Sequence, residues 1–283
     1  RDAGVLPKHR SAASHAWMTL LALASFVWIA GPVDGLILMV LIATHEGGHA
    51  LAMLRYGLGV SFVGFIPFLG GMAAPTRRYV NDCQHGIVAL MGVGISLPVT
   101  FGLFVAAGLH QSAALANAAA LFSIVNGANL LPLPGLDGGI VARLVSERIH
   151  PKLSSALMWL MMAAFVALAV WLASPWIWLA VVFGFVQLIV LSSIDHRGGK
   201  IPLTGLGAIG LSALYVALFA AYLTLSVMSL GLARDLQRLD DIRPRREASP
   251  ARPLPATSAP HPAWGSSLTW NSSLAWNGVS PGE

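Results

Sequence analysis

Long apolar runs separated by short polar breaks organise this chain. Residues 153–194 and 201–233 contain no charged side chain, and a bilayer-spanning helix needs about 20 such residues. The apolar pattern predicts spans at 12–33, 35–57, 86–108, 112–133, 154–173, 175–194 and 205–229. Pro32 and Asp34, Leu109 to Gln111, and Ser174-Pro175 mark the turns between paired spans. Residues 60–76 break the pattern. They are uncharged, yet Gly64, Pro67, Gly70, Gly71 and Pro75 interrupt them too often for a spanning helix. The alternation of Val60, Phe62 and Phe65 predicts a short β-hairpin or a re-entrant segment, whose backbone must be shielded by protein or line a wet cavity. The expected fold class is an all-α polytopic membrane protein of six to seven transmembrane helices, with that hairpin or re-entrant segment after the second span.

Composition sharpens this picture. Apolar residues make up 56% of the chain and charged residues 10%, whereas a soluble domain is about one-quarter charged. A soluble or fibrous protein is excluded. The net charge of +5 does not point to nucleic acid as a partner, because the basic residues sit at span ends and not on one face. The partner implied by these spans is the lipid bilayer. One side of the predicted topology holds Arg1, Lys8, Arg10, Arg55, Arg77, Arg78, Arg143, Arg148, Lys152, Arg197 and Lys200. The turns on the other side hold no Lys or Arg. By the positive-inside rule the N-terminus is cytoplasmic.

Seven spans then place the C-terminus on the opposite side, where the basic residues of 234–252 sit awkwardly. Either the last apolar run stops short of crossing, or the tail lies outside despite its charge. Four segments follow from the pattern: a cytoplasmic N-terminal tail (1–11), a four-span core (12–152), additional spans (153–233) and a disordered tail (234–283) rich in charge, then in Pro, Ala and Ser. Cys83 is the single cysteine, so an intrachain disulfide and a thiolate zinc cluster are excluded.

Candidate chemistry lies in the second span, at His45-Glu46-Gly47-Gly48-His49. Positions i and i+4 share a helix face, so two imidazoles there can grip one Zn²⁺ while the Glu reaches a metal-bound water. Two His and a Glu within five residues of a span are costly in hydrocarbon, which makes a functional site the default reading. The plainer alternative is a polar cluster satisfied by neighbouring backbone. A catalytic zinc also needs a third protein ligand. Asp137 is the sole charged residue between Asp82 and Arg143, in the stretch Asn129-Leu-Leu-Pro-Leu-Pro-Gly-Leu-Asp137-Gly-Gly139. There Pro132 and Pro134 break the fourth span, and an Asp in that place could equally cap the next helix. Asn126 and Asn129 are amides within a span, each a candidate for substrate or oxyanion contact or for helix–helix hydrogen bonding. His85 and His110 fall at span ends, as interfacial residues do. Met158, Met161 and Met162 read as packing or lipid contact.

HEGGH in the second span and NLLPLPGLDGG at the end of the fourth resemble the paired signatures of the site-2 protease family of intramembrane zinc metalloproteases, in the same order and topological placement. The resemblance covers roughly residues 12–150, and Pro67-Phe-Leu-Gly-Gly71 is similar to the family's hairpin. It implies zinc as cofactor, His45, His49 and Asp137 as ligands, and Glu46 as catalytic base. Family members often carry Gly-Pro early in the third span; here the stretch is Met91-Gly92-Val93-Gly94, with no Pro before Pro98.

The expected function is a zinc-dependent endopeptidase acting inside the membrane, with Glu46 as general base. Its expected substrate is a single-span membrane protein or a remnant signal peptide. A catalytically silent metal-binding scaffold or a metal transporter is the alternative, and the intact Glu46 argues against a silent protein. Glu147, Glu247 and Glu283, the only Glu residues after His49, do not lie deep in a span, which disfavours a zinc protease with a Glu ligand. No GxSG or GxGD motif supports a serine or aspartyl intramembrane protease. The expected location is the cell membrane, as a multi-pass protein.

Overall fold

The computed structural model describes residues 12–68, 70–173, 178, 181–182, 184–186 and 201–247. Two helices, α1 (Ala12–Ala30) and α2 (Pro32–Arg55), lead into the strands β1 (Val60–Ile66) and β2 (Gly70–Pro75). There follow α3 (Asp82–His110), α4 (Ala113–Asn129), α5 (Asp137–Ile149), α6 (Pro151–Leu172) and α7 (Gly205–Glu247). Gly31, at φ 86°, makes the sharp turn between α1 and α2, and Pro32 opens α2, where its missing N–H costs nothing. Asn81 caps α3 by accepting the Gln84 N–H at 2.7 Å.

The fold is an all-α membrane protein with one small sheet. The punctuated segment after α2 is an antiparallel hairpin, Val63 opposite Ala73 and Phe65 opposite Gly71. Among the described residues, α2, α3, α6 and the Gly205–Asp241 part of α7 are long and apolar enough to cross a membrane. That is fewer than the six to seven spans the sequence predicts, for physical reasons. The apolar part of α1 covers only Trp17–Ala30. Pro132 and Pro134 end the fourth helix at Asn129, so its 17 residues reach about 25 Å of a hydrocarbon core about 30 Å thick. The span expected at 175–194 lies largely outside the described residues. Those described within it pack along α6, with Val181 against Met162 and Ala169, and Phe185 beside Trp159.

The last helix packs against α3 along its length. Ile201 pairs in parallel with Asn81, its N–H donating to the Val80 carbonyl and its own carbonyl accepting from Asp82. Leu211 then packs at Gly86, Tyr222 bonds to Val93, and Ala233 and Leu236 meet Ala107 and Ala116. The helix α7 therefore runs alongside α3, in the same direction, from one end to the other. It is long and apolar enough over Gly205–Asp241 to cross a membrane completely. It also continues to Glu247, so residues 234–247, expected as the start of a disordered tail, are helical. The loss of the apolar pattern at Arg234 marks a change of environment and not of backbone, because Arg, Leu and Gln are all good helix formers and Leu236 is still only 4% exposed. Residues 248–283 of the expected tail lie outside the described residues.

Among the described residues, three of the five apolar clusters tie α1–α5, the hairpin and α7 together. One joins α3, α5 and α7 through Leu90, Val93, Leu130, Val141, Leu144 and Tyr222. A second joins α1, α2 and α4 through Phe26, Leu41 and Phe122. A third seats the hairpin against α2 and α3 through Met53, Leu58 and Val88. Met158 and Met162 are buried and act in packing.

Candidate metal centre

Glycine decides how closely the elements of the site approach. Gly48 faces α3, where an added Cβ would strike the Met91 carbonyl and lie 2.9 Å from the Gly92 Cα, so the two helices meet backbone to backbone. Gly92 in turn leaves room for the imidazoles of α2: a Cβ there would lie 2.5 Å from His49 Nε2 and 2.8 Å from His45 Nε2. The two rings stand edge to face, with centroids 4.7 Å apart and Nε2 atoms 3.1 Å apart.

Asp137 arrives from the broken end of α4. The prolines prevent the helix from continuing, Gly135 turns the chain at φ 89°, and α5 begins at Asp137 itself. A Cβ on Gly138 would strike the carbonyls of Leu130 and Leu131, and one on Gly139 that of Leu133, so the loop lies flat on the first turn of α5. The carboxylate is thereby aimed at α2. Its Oδ2 lies 3.1 Å from His45 Nε2 and its Oδ1 3.5 Å from His49 Nε2. All three residues are buried.

Hydrogen bonds fix the orientation of both imidazoles. His49 Nδ1–H donates to the Val88 carbonyl at 2.8 Å. His45 Nδ1–H donates to Asn126 Oδ1 at 2.9 Å, and the Asn126 amide is oriented by its own bond to the Phe122 carbonyl. With both protons committed at Nδ1, both Nε2 lone pairs point at one another and at a carboxylate whose Oδ2 is buried without a donor. One proton could relieve one of these contacts; a divalent cation relieves all three. Each imidazole Nε2 lies within 3.5 Å of a carboxylate oxygen, His45 against Oδ2 and His49 against Oδ1, and the three groups are close enough together to share one ion. Two His and one Asp are a donor set that could hold a divalent cation such as zinc.

The cluster opens into a cavity of about 190 Å³, lined also by Glu46, Gly71, Tyr79, His85 and Asn129. Glu46 is 5% exposed and lies under β2, where a Cβ on Gly71 would collide with its carboxylate group. Asn129 lines the cavity and donates weakly to the Val125 carbonyl at 3.3 Å. Asn126 does not line it; its amide bonds His45 across the α2–α4 contact, the helix–helix hydrogen bond that was one of its two expected roles. Nothing in the sequence marks which of two span amides faces a ligand, since that depends on how α4 is rotated against α2. His85, expected at an interface, stacks on Tyr79 at 4.3 Å inside the cavity, because α3 starts four residues earlier than the apolar pattern suggests. The Tyr79 hydroxyl is pushed up to about 12 by burial and by the charge of Asp137. It therefore stays protonated at neutral pH.

No family model matches the sequence. A curated protein of Synechocystis sp. described as "Putative zinc metalloprotease sll0528" is 30% identical over 128 residues, 43% of this chain. The chain spans about a third of that relative's length. The solved structure of the site-2 protease from Methanocaldococcus jannaschii superposes with a TM-score of 0.42 and 15% identity, covering 79% of this chain and 95% of that one. In its paired motifs, its metalloprotease relative and its buried His–His–Asp cluster, this integral membrane protein is similar to the site-2 protease family of zinc metalloproteases.

Proposed function

We propose that this chain is a zinc-dependent intramembrane endopeptidase that cleaves transmembrane segments of substrate proteins, with Glu46 as general base. One observation carries the reading. Two imidazoles, each protonated on the nitrogen facing away, converge on a buried carboxylate inside a membrane helix, with a second carboxylate beside them in the same cavity. His45, His49 and Asp137 would hold the zinc, which when bound supplies a Lewis acid that polarises a carbonyl and acidifies water.

The chain's own residues do the rest. Glu46 accepts a proton from water and delivers it to the leaving amine. The Asn129 amide, facing the cavity, donates to charge developing on the scissile carbonyl oxygen. Tyr79, protonated and in the same cavity, is a second donor. A substrate helix hides its carbonyls in hydrogen bonds, so it must unwind to enter; residues that weaken helices near the cut favour cleavage. The substrate class is a single-span membrane protein or a remnant signal peptide. We place the enzyme in the cell membrane with its N-terminus cytoplasmic.

The test is Glu46→Gln, which keeps size and polarity but cannot accept the proton. Zinc should remain at about one per chain, while cleavage of a membrane-reconstituted substrate helix falls by about 10²- to 10⁴-fold. Wild-type cleavage by this variant would sink the mechanism. A wild-type protein that binds zinc but turns over no membrane substrate would favour the scaffold or transporter.

A further inference from the structure

The helix α7 follows the segment that carries both motifs, yet two of its side chains end on the backbone of the site's walls. The Tyr215 hydroxyl donates to the Leu130 carbonyl at 2.6 Å. In an uninterrupted helix that carbonyl would accept the N–H of residue 134, but residue 134 is proline and has none. Tyr215 therefore supplies the donor that the broken end of α4 lacks. The same carbonyl is the surface on which Gly138 packs, too closely for any Cβ, and Gly138 is bonded directly to Asp137. A second hydroxyl, on the fully buried Tyr222, donates to the Val93 carbonyl at 2.7 Å. That group lies beside Gly92, whose Cα faces both imidazoles. One helix thus fixes the backbone behind the carboxylate and the backbone behind the histidines.

We propose that Tyr215 is a positioning residue for Asp137, acting through the Leu130 carbonyl, and that α7 is in this way a working part of the metal centre. This rests on the reading that His45, His49 and Asp137 hold zinc. The hydroxyl holds the 130–136 loop against the first turn of α5, and the carboxylate keeps its aim because Gly138 cannot move without that carbonyl. Losing the bond leaves a buried acceptor unpaired, which the loop relieves by turning toward water. The carboxylate moves with it.

Tyr215→Phe removes one oxygen from a partly buried ring that keeps its stacking on Phe219. Outer partners of metal ligands are typically worth about 10- to 100-fold in affinity; Tyr215 stands one step further out, so we expect Zn²⁺ affinity to fall about 3- to 10-fold. The visible spectrum of Co²⁺ bound in place of zinc should change as well, which a loss of general stability would not produce. Leu236→Ala is the control, since it loosens α7 where it packs on Ala107 and Ala116, at the far end. It should lower the thermal midpoint and leave Zn²⁺ affinity and the Co²⁺ spectrum at wild-type values. Wild-type affinity and spectrum in the Tyr215 variant, with Asp137→Ala losing the metal, would overturn the proposal while leaving the zinc site intact. An equal loss of affinity in both α7 variants would overturn it too, as an effect of packing alone. Failure of the wild-type protein to bind Zn²⁺ would instead overturn the proposed function.

Discussion

Replacing Gly92 by Ala sets two effects of known sign against each other. Ala is favoured over Gly inside a helix by about 0.8–1.0 kcal/mol, so on backbone grounds the variant should be the more stable. The added methyl, however, would lie 2.5 Å from His49 Nε2 and 2.8 Å from His45 Nε2. Unstrained contacts of this kind are about 3.5 Å, so the two rings must give way by roughly 1.0 and 0.7 Å. Neither ring is free to do so cheaply. His49 is tied to the Val88 carbonyl and His45 to Asn126. Metal–ligand distances tolerate only about ±0.2 Å, so the loss of zinc affinity should exceed about 100-fold, or roughly 2.7 kcal/mol. Zinc content after dialysis against a competing chelator reads the binding, and the thermal midpoint in detergent reads the fold. The expected outcome is a folded protein without metal and without cleavage. Gly47→Ala is the matched control in the same motif, because its Cβ meets nothing within 4 Å; it should keep zinc and gain stability. Full zinc and wild-type cleavage in the Gly92 variant would show that the imidazoles do not converge where the structure places them.

Other expectations follow from the same geometry. His45→Ala, His49→Ala and Asp137→Ala should each abolish stoichiometric zinc; full retention in the Asp137 variant would remove it from the site. Asn126→Leu should weaken zinc about 10- to 100-fold by freeing the His45 ring, while Asn126→Asp, which still accepts the Nδ1 proton, should retain it; equal affinities in the two would exclude the orienting role. In a Cys83→Ser background, cysteines placed at Leu109 and Asp241 should be labelled from the same side of the membrane, and one at Arg78 from the other. Labelling of the Asp241 position together with Arg78 would contradict the parallel run of α3 and α7.

The elements that could be read from the sequence are those whose cause is local. Apolar run length predicted the described helices of the core to within a few residues, and Gly and Pro punctuation predicted that 60–76 would not be a helix. HEGGH places its two imidazoles together by helix geometry alone, so their proximity follows from spacing. Asp137 could be named because hydrocarbon leaves few charged residues to choose among, yet its approach depends on a loop that only Gly138 and Gly139 allow to close. The contacts of Asn126, Tyr215 and Tyr222 were not legible. Each joins residues distant in sequence, and each depends on how one helix is rotated against another. The extension of α7 beyond Arg234 was hidden because composition reports whether a segment faces lipid, and a helix leaving the membrane changes its surroundings without changing its backbone.

The site does not lie midway along α2. His49 and His45 stand 6 and 10 residues before Arg55, about 9 to 15 Å from that end of the helix, whereas Pro32 is about 20 Å from His45 at the other end. If a spanning substrate helix is cut at this depth, as proposed, neither product would keep the roughly 20 apolar residues that hold a segment across a bilayer. The shorter embedded piece, of about 6 to 10 residues, would be too small to anchor whatever domain it carries, and that domain would be released on the Arg55 side. The longer piece, of about 13 residues, would remain as a stub in one leaflet, no longer a span. On the proposed reading, a single hydrolysis at this off-centre depth would free one half of a tethered protein and strand the other.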